Sequence, residues 1–167
     1  MDKKDILIMY FKPFGCRKYN NGKEVATSLV DKLGCEKKDL QVFFLCLRNK
    51  DKITEYILEK QPKTILAFGE AVFQSETYLL ERYDDSNEFM GNYALRARQV
   101  NIKKRKHNIK SPCFDTRDLL CNLSKIYGFK WEFIHIKKYL FDSRKNFDIN
   151  KRHKDTISQL IAMINKI

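Results

Sequence analysis

The sequence predicts a three-layer α/β/α domain with a mostly parallel or mixed central sheet, and three observations support this fold class. Residues 6–10, 41–47 and 64–68 form short apolar runs, as expected of strands that are buried on both faces. Patterns with helical periodicity separate these runs. The resulting order β-α-β-α-β is typical of domains in which helices cover both faces of one sheet. Such sheets bind ligands beyond the carboxyl ends of their strands.

The first two helices have recognisable ends. Asn21 is predicted to cap the first helix, because Glu24 follows three residues later in a capping-box variant. Gly34 is the expected stop of this helix, and Pro62 ends a second helix over residues 51–60.

The remaining elements are predicted from weaker signals. Residues 94–102 alternate between apolar and polar side chains, which indicates an edge strand, and residues 131–136 form the last strand. Asp115 or Thr116 is expected to cap a short helix before that strand, and Asp155 to cap a closing amphipathic helix. The apolar positions of these two helices are Leu119, Leu120, Leu123, Ile126, Ile157, Leu160, Ile161 and Ile164.

Length and composition favour a single domain over residues 1–167. The chain is 43% hydrophobic and 13% aromatic, which argues against disorder. Its apolar runs are too short to span a bilayer, and its charged beginning lacks the apolar region of a signal peptide. The five cysteines are odd in number and include no C-x-x-C pair, so we expect reduced thiols in a cytoplasmic protein without a zinc site. No membrane partner is expected.

The formal net charge of +12 suggests an acidic partner, and one cluster of basic residues stands out at 103–107. This cluster, Lys-Lys-Arg-Lys-His, lacks the interleaved aromatic residues of a base-stacking surface. We therefore expect no specific nucleic-acid partner. A basic domain that associates with nucleic acid through Lys103 to Lys106 remains an alternative, and strong salt dependence would distinguish it.

Cys121 and His135 are the residue types required for thiol nucleophilic catalysis. His135 follows Cys121 by 14 residues, which suits a short helix, a turn at Tyr127-Gly128 and a strand. In such chemistry the imidazole takes the thiol proton and the thiolate attacks a carbonyl carbon. We expect Cys121 at the start of the helix, where backbone N–H groups favour the thiolate. The alternative is a cysteine that only fills the core.

Four short motifs in order make the chain resemble one known family. They are Phe11-Lys12-Pro13-Phe14-Gly15, Glu81-Arg82, Leu120-Cys121-Asn122 and Phe133-Ile134-His135-Ile136. In these motifs the chain resembles pyroglutamyl peptidase I, also called pyrrolidone-carboxylate peptidase, a family of cytosolic cysteine peptidases that remove an N-terminal pyroglutamyl residue from peptides.

The resemblance implies a function for five residues. Cys121 matches the nucleophile of the family, His135 matches its base and Glu81 its acid, which in such a triad holds the imidazole tautomer. Phe11 and Phe14 match the aromatic residues that sandwich the pyrrolidone ring. The implied partner is a peptide with an N-terminal pyroglutamate, and no metal or cofactor is implied. A homo-oligomer is left open.

The chain also departs from the family pattern. Thr116-Arg117 stands where Ala-Gly usually precedes the nucleophile, and Lys12 stands where an acidic residue is usual. Two alternatives for the acid and base follow from general tendencies: Glu81 as a solvated surface carboxylate and His135 as a satisfied core histidine. A further alternative is a family member with altered or lost catalysis that acts as a binding or regulatory protein.

Overall fold

A computed structural model describes residues 5–11, 19–34, 36–40, 50–73, 76–84, 86, 88–96, 98–100, 112–138, 151 and 153–166. The described elements, in chain order, are β1 (Ile6–Phe11), α1 (Asn21–Leu33), β2 (Glu36–Leu40), α2 (Lys50–Lys60), β3 (Thr64–Ala71), β4 (Tyr78–Tyr83), β5 (Phe89–Tyr93), α3 (Pro112–Tyr127), β6 (Lys130–Lys137) and α4 (Lys154–Ile164). None of the described helices is long and apolar enough to cross a membrane.

The strands form one mixed sheet in the order β2-β1-β3-β6-β4-β5. Strand β1 pairs in parallel with β2 and β3, and β3 pairs in parallel with β6. Strand β4 is antiparallel to both β6 and β5, so the sheet changes direction at the β6–β4 boundary. The predicted α/β class with a mixed central sheet is confirmed.

Side-chain alternation along the strands divides the core into two layers. Odd-numbered strand residues pack against α2 and α3, and we call this side the α2/α3 face. Even-numbered strand residues pack against α1 and α4 on the opposite side, which we call the α1/α4 face. The α2/α3 face is built mainly from Leu7, Met9, Phe11, Ile53, Ile57, Ile65, Ala67, Leu119, Leu120, Leu123 and Phe133. Because both faces carry helices, the three-layer prediction holds.

The first helix begins one residue earlier than its predicted cap requires. Asn20 is the N-cap and its side chain accepts a hydrogen bond from the Lys23 backbone N–H, so the prediction of Asn21 as the cap is wrong. Asn21 is instead buried, donates to Glu70 through both its backbone and its side-chain N–H groups, and accepts from His153. Gly34 ends the helix as predicted, in the left-handed conformation with φ of 66°.

Two strands of the antiparallel part were missed. We predicted an edge strand over residues 94–102, but the described edge strand is β5, and Gln99 contributes only an isolated bridge to Tyr93. Strands β4 and β5 are consecutive and antiparallel, and the hydrogen bonds of their ladder do not require strong apolar alternation. The strand predicted over residues 41–47 lies outside the described residues, and β2 ends just before it.

The last two helices begin earlier than predicted. Helix α3 starts at Pro112, a residue that favours the first helical position, so Asp115 and Thr116 lie inside the helix and do not cap it. Ile126, one of the apolar positions of this helix in the sequence, lies in its last turn and is 68% exposed. The N-cap of α4 is His153 and not Asp155, which lies in the first turn.

Candidate active site

His135 and Glu81 meet on the α2/α3 face of the sheet. In the β4–β6 ladder His135 pairs with Leu79, and Glu81 lies two residues further along β4 on the same face. Such diagonal neighbours are within reach of long side chains. The Glu81 Oε1 and His135 Nε2 atoms are 2.7 Å apart, a short hydrogen bond in which both side chains are more than nine-tenths buried.

This burial decides between the alternatives for Glu81. A carboxylate with a side-chain exposure of 7% is not a solvated surface group, and its retention inside the protein requires hydrogen-bond partners. His135 also differs from an ordinary core histidine. Its Nδ1 atom is buried and has no hydrogen-bond partner within the described part of the chain, although nearly all buried polar groups are paired. One nitrogen of the imidazole is therefore held by the acid, while the other is left unpaired.

Cys121 belongs to the helix that packs against the same face. Leu119, Leu120 and Leu123 of α3 enter the core of the α2/α3 face, and Cys121 is half-buried beside them. The prediction that the thiol lies at a helix start is wrong, because Cys121 is the tenth residue of α3. The N–H groups of the first helical turn are therefore too far away to stabilise a thiolate.

Cys121 lies along one border of the buried side of α3. Arg117, Cys121 and Ser124 are all half-buried and follow each other at spacings of four and three residues, which aligns them on the helix. Arg117 contacts residues of β4 and β5, so this border is directed toward the strands that carry Glu81. Among the described residues, no direct hydrogen bond joins the Cys121 sulfur to His135 Nδ1.

Phe11 occupies a different environment from the one expected. The apolar run that predicts the first strand ends at residue 10, so we expect Phe11 in the loop that follows and not wholly buried, but it is the last residue of β1 and its exposure is 4%. Its ring packs on that of Phe133, with centroids 6.4 Å apart, because the apolar pattern of β1 continues through Phe11. The β1–β3 register ends at the Tyr10–Phe68 pair, one residue before Phe11, and Gly69, which follows Phe68, pairs with His135. Phe14 lies outside the described residues.

Two residues that the sequence analysis did not select also belong to this site. Tyr83 donates a hydrogen bond from its hydroxyl to Glu81 Oε2, and the guanidinium of Arg117 is close enough to donate to the Tyr83 oxygen. Burial, and then the charge of Glu81, raises the pKa of the Tyr83 phenol far above its usual value. The signal that identifies Tyr83 is its spacing of two residues from Glu81, which is informative only once β4 is known to be a strand.

The second residue of the Glu81-Arg82 pair has a separate role. Alternation along β4 directs Arg82 to the α1/α4 face, where it forms an ion pair with Glu132 of β6 at 3.0 Å. Burial raises the pKa of the Glu132 carboxyl, and the charge of Arg82 opposes that change. Arg82 therefore links β4 to β6 on the α1/α4 face and does not contact the Glu81–His135 pair.

Other possible sites lie apart from this one. Within the described ranges, no group of three or more His, Cys, Asp or Glu side chains is arranged to hold a metal ion. A groove of about 730 Å³, lined by residues such as Ile57, Pro62 and Phe129, lies at the amino ends of β3 and β6. His135 is near the carboxyl end of β6, so this groove is at the opposite edge of the sheet.

Solved structures of pyrrolidone carboxyl peptidases share this fold. The chain is similar to the pyrrolidone carboxyl peptidase from Thermococcus litoralis, with a TM-score of 0.56 and 15% identity over 96% of this chain and 93% of that chain. For pyroglutamyl peptidase I from Bacillus amyloliquefaciens the values are 0.51 and 15%, over 91% of each chain. For a variant of the P. furiosus pyrrolidone carboxyl peptidase they are 0.55 and 14%, over 97% of this chain and 99% of that chain.

Sequence comparison alone gives no match, since no protein-family model and no curated protein sequence matches the chain. At 14–15% identity the structural likeness shows the fold. The resemblance that the four motifs predicted is therefore confirmed at the level of the fold.

Proposed function

We propose that this chain is a cysteine peptidase that removes an N-terminal pyroglutamyl residue from peptides. Cys121 is the nucleophile, His135 the general base and Glu81 the acid that orients the imidazole. The observation that carries this proposal is the buried hydrogen bond between Glu81 and His135 Nε2, while His135 Nδ1 has no hydrogen-bond partner among the residues that the structure describes. The fold shared with pyrrolidone carboxyl peptidases adds support.

The hydrogen bond to Glu81 sets the tautomer of the base. A carboxylate only accepts hydrogen bonds, so Nε2 carries the proton of the neutral imidazole and Nδ1 carries the lone pair. The lone pair is thus on the nitrogen that can accept the Cys121 thiol proton. Catalytic hydrogen bonds are often long before substrate binds, so the absence of a direct Cys121–His135 hydrogen bond among the described residues is compatible with this role.

Acyl transfer then follows in two halves. The Cys121 thiolate attacks the carbonyl carbon of the pyroglutamyl residue, and a carbon–sulfur bond forms as the carbonyl oxygen becomes an oxyanion. When this intermediate collapses, the carbon–nitrogen bond breaks and the leaving amine takes the proton from Nδ1 of the imidazolium. Water, deprotonated by His135, hydrolyses the thioester, which releases pyroglutamate and restores the thiol. Glu81 stabilises the imidazolium in both halves.

Phe11 and Phe14 are proposed to bind the pyrrolidone ring. Phe11 and His135 lie on the same face of the sheet, and the Phe133 ring contacts both of their rings, with centroid distances of 6.4 Å and 5.1 Å. An aromatic surface therefore adjoins the base. A flat lactam with one apolar face suits such a position.

The test is the release of a fluorophore from a pyroglutamyl-linked substrate. Cys121→Ser should lower kcat/KM by roughly 10³-fold or more, because the alcohol is a far weaker nucleophile in a site built for a thiol. Cys16→Ser is the matched control and should retain the activity. The proposal fails if the wild-type chain releases no fluorophore above the rate of Cys121→Ser.

A second candidate function is a binding or regulatory protein without turnover. The position of Cys121 favours it, because a thiol at the tenth residue of α3 lacks the electrostatic support of a helix start. This candidate predicts that a pyroglutamyl peptide binds to the chain in calorimetry and is recovered intact. Cleavage of that peptide would exclude it.

A further inference from the structure

Glu81 has hydrogen-bond partners on both carboxylate oxygens, and only one of them is part of the proposed triad. Oε1 lies 2.7 Å from His135 Nε2, while Oε2 accepts the hydroxyl of Tyr83. Arg117 in turn reaches the oxygen of Tyr83. We propose that Tyr83 and Arg117 are positioning residues, which fix the Glu81 carboxylate in the orientation that His135 requires; the catalytic part of this inference rests on the proposed function.

The first step concerns the freedom of the glutamate. The terminal torsion of a Glu side chain is broad, so one hydrogen bond alone leaves the carboxylate able to rotate away from its partner. A second donor on the other oxygen removes that freedom. Hydrogen bonds to a carboxylate are also stronger than those between neutral groups, so the Tyr83 hydroxyl contributes to holding the Glu81 side chain in this position.

The second step concerns Tyr83 itself. Its ring lies between those of Trp131 and Phe89, with centroid distances of 4.8 Å and 5.8 Å. These contacts hold the ring, and with it the hydroxyl, in one place. Burial, and then the charge of Glu81, raises the pKa of the phenol, which favours the protonated form that donates to Glu81.

The third step concerns the contact between α3, the helix that carries Cys121, and the residues that hold Glu81. Arg117 is 17% exposed and its guanidinium lies 5.4 Å from the centroid of the Phe89 ring, where a cation and an aromatic face attract each other. Arg117 precedes Cys121 by four residues, so the two side chains are neighbours on one side of α3. The contact with Tyr83 therefore sets the position of α3 relative to β4.

The experiment is an NMR measurement of the His135 ring proton on Nε2 in 15N-labelled protein, assigned with His135→Ala. Tyr83→Phe keeps the aromatic packing but removes the donor to Glu81. We expect the exchange of the Nε2 proton with water to become about tenfold faster, the effect of losing one hydrogen bond to a charged group. Arg117→Met should accelerate the exchange by a smaller factor, because Tyr83 is still present.

Tyr127→Phe is the matched control, because it also removes one phenol hydroxyl. Tyr127 is half exposed at the end of α3. This substitution should leave the exchange rate unaltered. Equal exchange rates in wild type, Tyr83→Phe and Arg117→Met would overturn the proposal, and an effect as large in Tyr127→Phe would do so as well.

Hydrolysis of the fluorogenic substrate supplies an independent measurement. Tyr83→Phe should lower kcat several-fold and leave KM unchanged, because it acts on the base and not on substrate binding. If the wild-type chain has no activity, the proposed function fails, and the exchange rates alone then decide whether the positioning network exists. If Tyr83→Phe does not fold, the comparison of Arg117→Met with wild type decides.

Discussion

The substitution Glu81→Gln tests the site through a specific tautomer argument. Gln has nearly the shape of Glu, but only one of its two terminal atoms accepts a hydrogen bond. Tyr83 donates to the position of Oε2 and so requires the amide oxygen there. The amide NH₂ group must then face His135 Nε2 and donate to it. This reverses the imidazole tautomer: the proton moves to Nδ1, which can no longer accept the thiol proton.

The expected loss is large for activity and small for stability. When the acid of a Ser-His-Asp triad is replaced by its amide, the wrong tautomer lowers kcat by about 10⁴. For Glu81→Gln we expect a loss of about 10²- to 10⁴-fold, equivalent to about 3 to 5 kcal/mol of transition-state stabilisation. Because both hydrogen bonds are still made, and one buried charge is removed, the free energy of unfolding should change by about 1 kcal/mol or less.

The double variant Glu81→Gln/Tyr83→Phe tests whether the Tyr83 hydroxyl determines the orientation of the introduced amide. Without the Tyr83 hydroxyl, the amide is free to rotate and present its oxygen to Nε2, which restores the correct tautomer in part of the molecules. The double variant should therefore be more active than Glu81→Gln alone, by roughly tenfold.

The assay is kcat/KM for a fluorogenic pyroglutamyl substrate, with urea denaturation of each variant as the control for folding. A Glu81→Gln protein with full activity would refute the role of the acid. A double variant less active than Glu81→Gln would refute the tautomer argument.

Three further predictions concern other parts of the chain. Cys121 should react with iodoacetamide faster than Cys16 near neutral pH, and His135→Ala should slow it, because the imidazole and the neighbouring Arg117 favour the thiolate; peptide mass mapping measures both rates, and equal labelling of the two thiols would contradict the activated nucleophile. Phe11→Ala should lower the free energy of unfolding by about 3–5 kcal/mol, because Phe11 is buried, and should also lower turnover below that of Phe11→Leu; unchanged turnover in folded Phe11→Ala would contradict a substrate role. Duplex DNA should bind to the basic cluster of residues 103–107 weakly, without sequence preference, and progressively less as salt rises, as measured by fluorescence anisotropy; sequence-selective binding that survives moderate salt would contradict this.

Strands β1, β3 and β6 were predictable because their signals are local, whereas the parallel strand β2, with the polar sequence Glu-Lys-Lys-Asp-Leu, was not predicted. Strand β1 is a continuous apolar run, β3 contains one, and β6 is mainly apolar in its buried part, while the helices between them have a clear apolar side with ordinary stop signals. The antiparallel part was not predictable in this way. Strand β4 mixes Leu79 and Leu80 with charged residues, since one face of its second half lines a polar site. The polar residues of the site interrupt the apolar pattern of β4, and for this reason the strand was not predicted from the sequence.

The acid and base were selected from motifs, but their environment depends on the tertiary structure. Nothing in the local sequence shows that Glu81 is buried or that it is directed at His135, because this follows from the register of β4 against β6. The position of Cys121 was predicted incorrectly for a related reason. The cap signals at Asp115 and Thr116 were locally reasonable, but the helix extends back to Pro112.

The departure at Arg117 from the pattern of the family that the chain resembles has a structural explanation. Arg117 stands four residues before Cys121, at a position that is usually Gly. Considered alone, this substitution suggests a loss of catalytic function. In the structure Arg117 reaches the oxygen of Tyr83 and lies over the ring of Phe89. A glycine at this position would leave a buried hydroxyl and an aromatic face without these contacts. Arg117, Tyr83 and Phe89 therefore form one unit, and a change at any one of them should be judged by its effect on the Glu81 carboxylate that this unit holds.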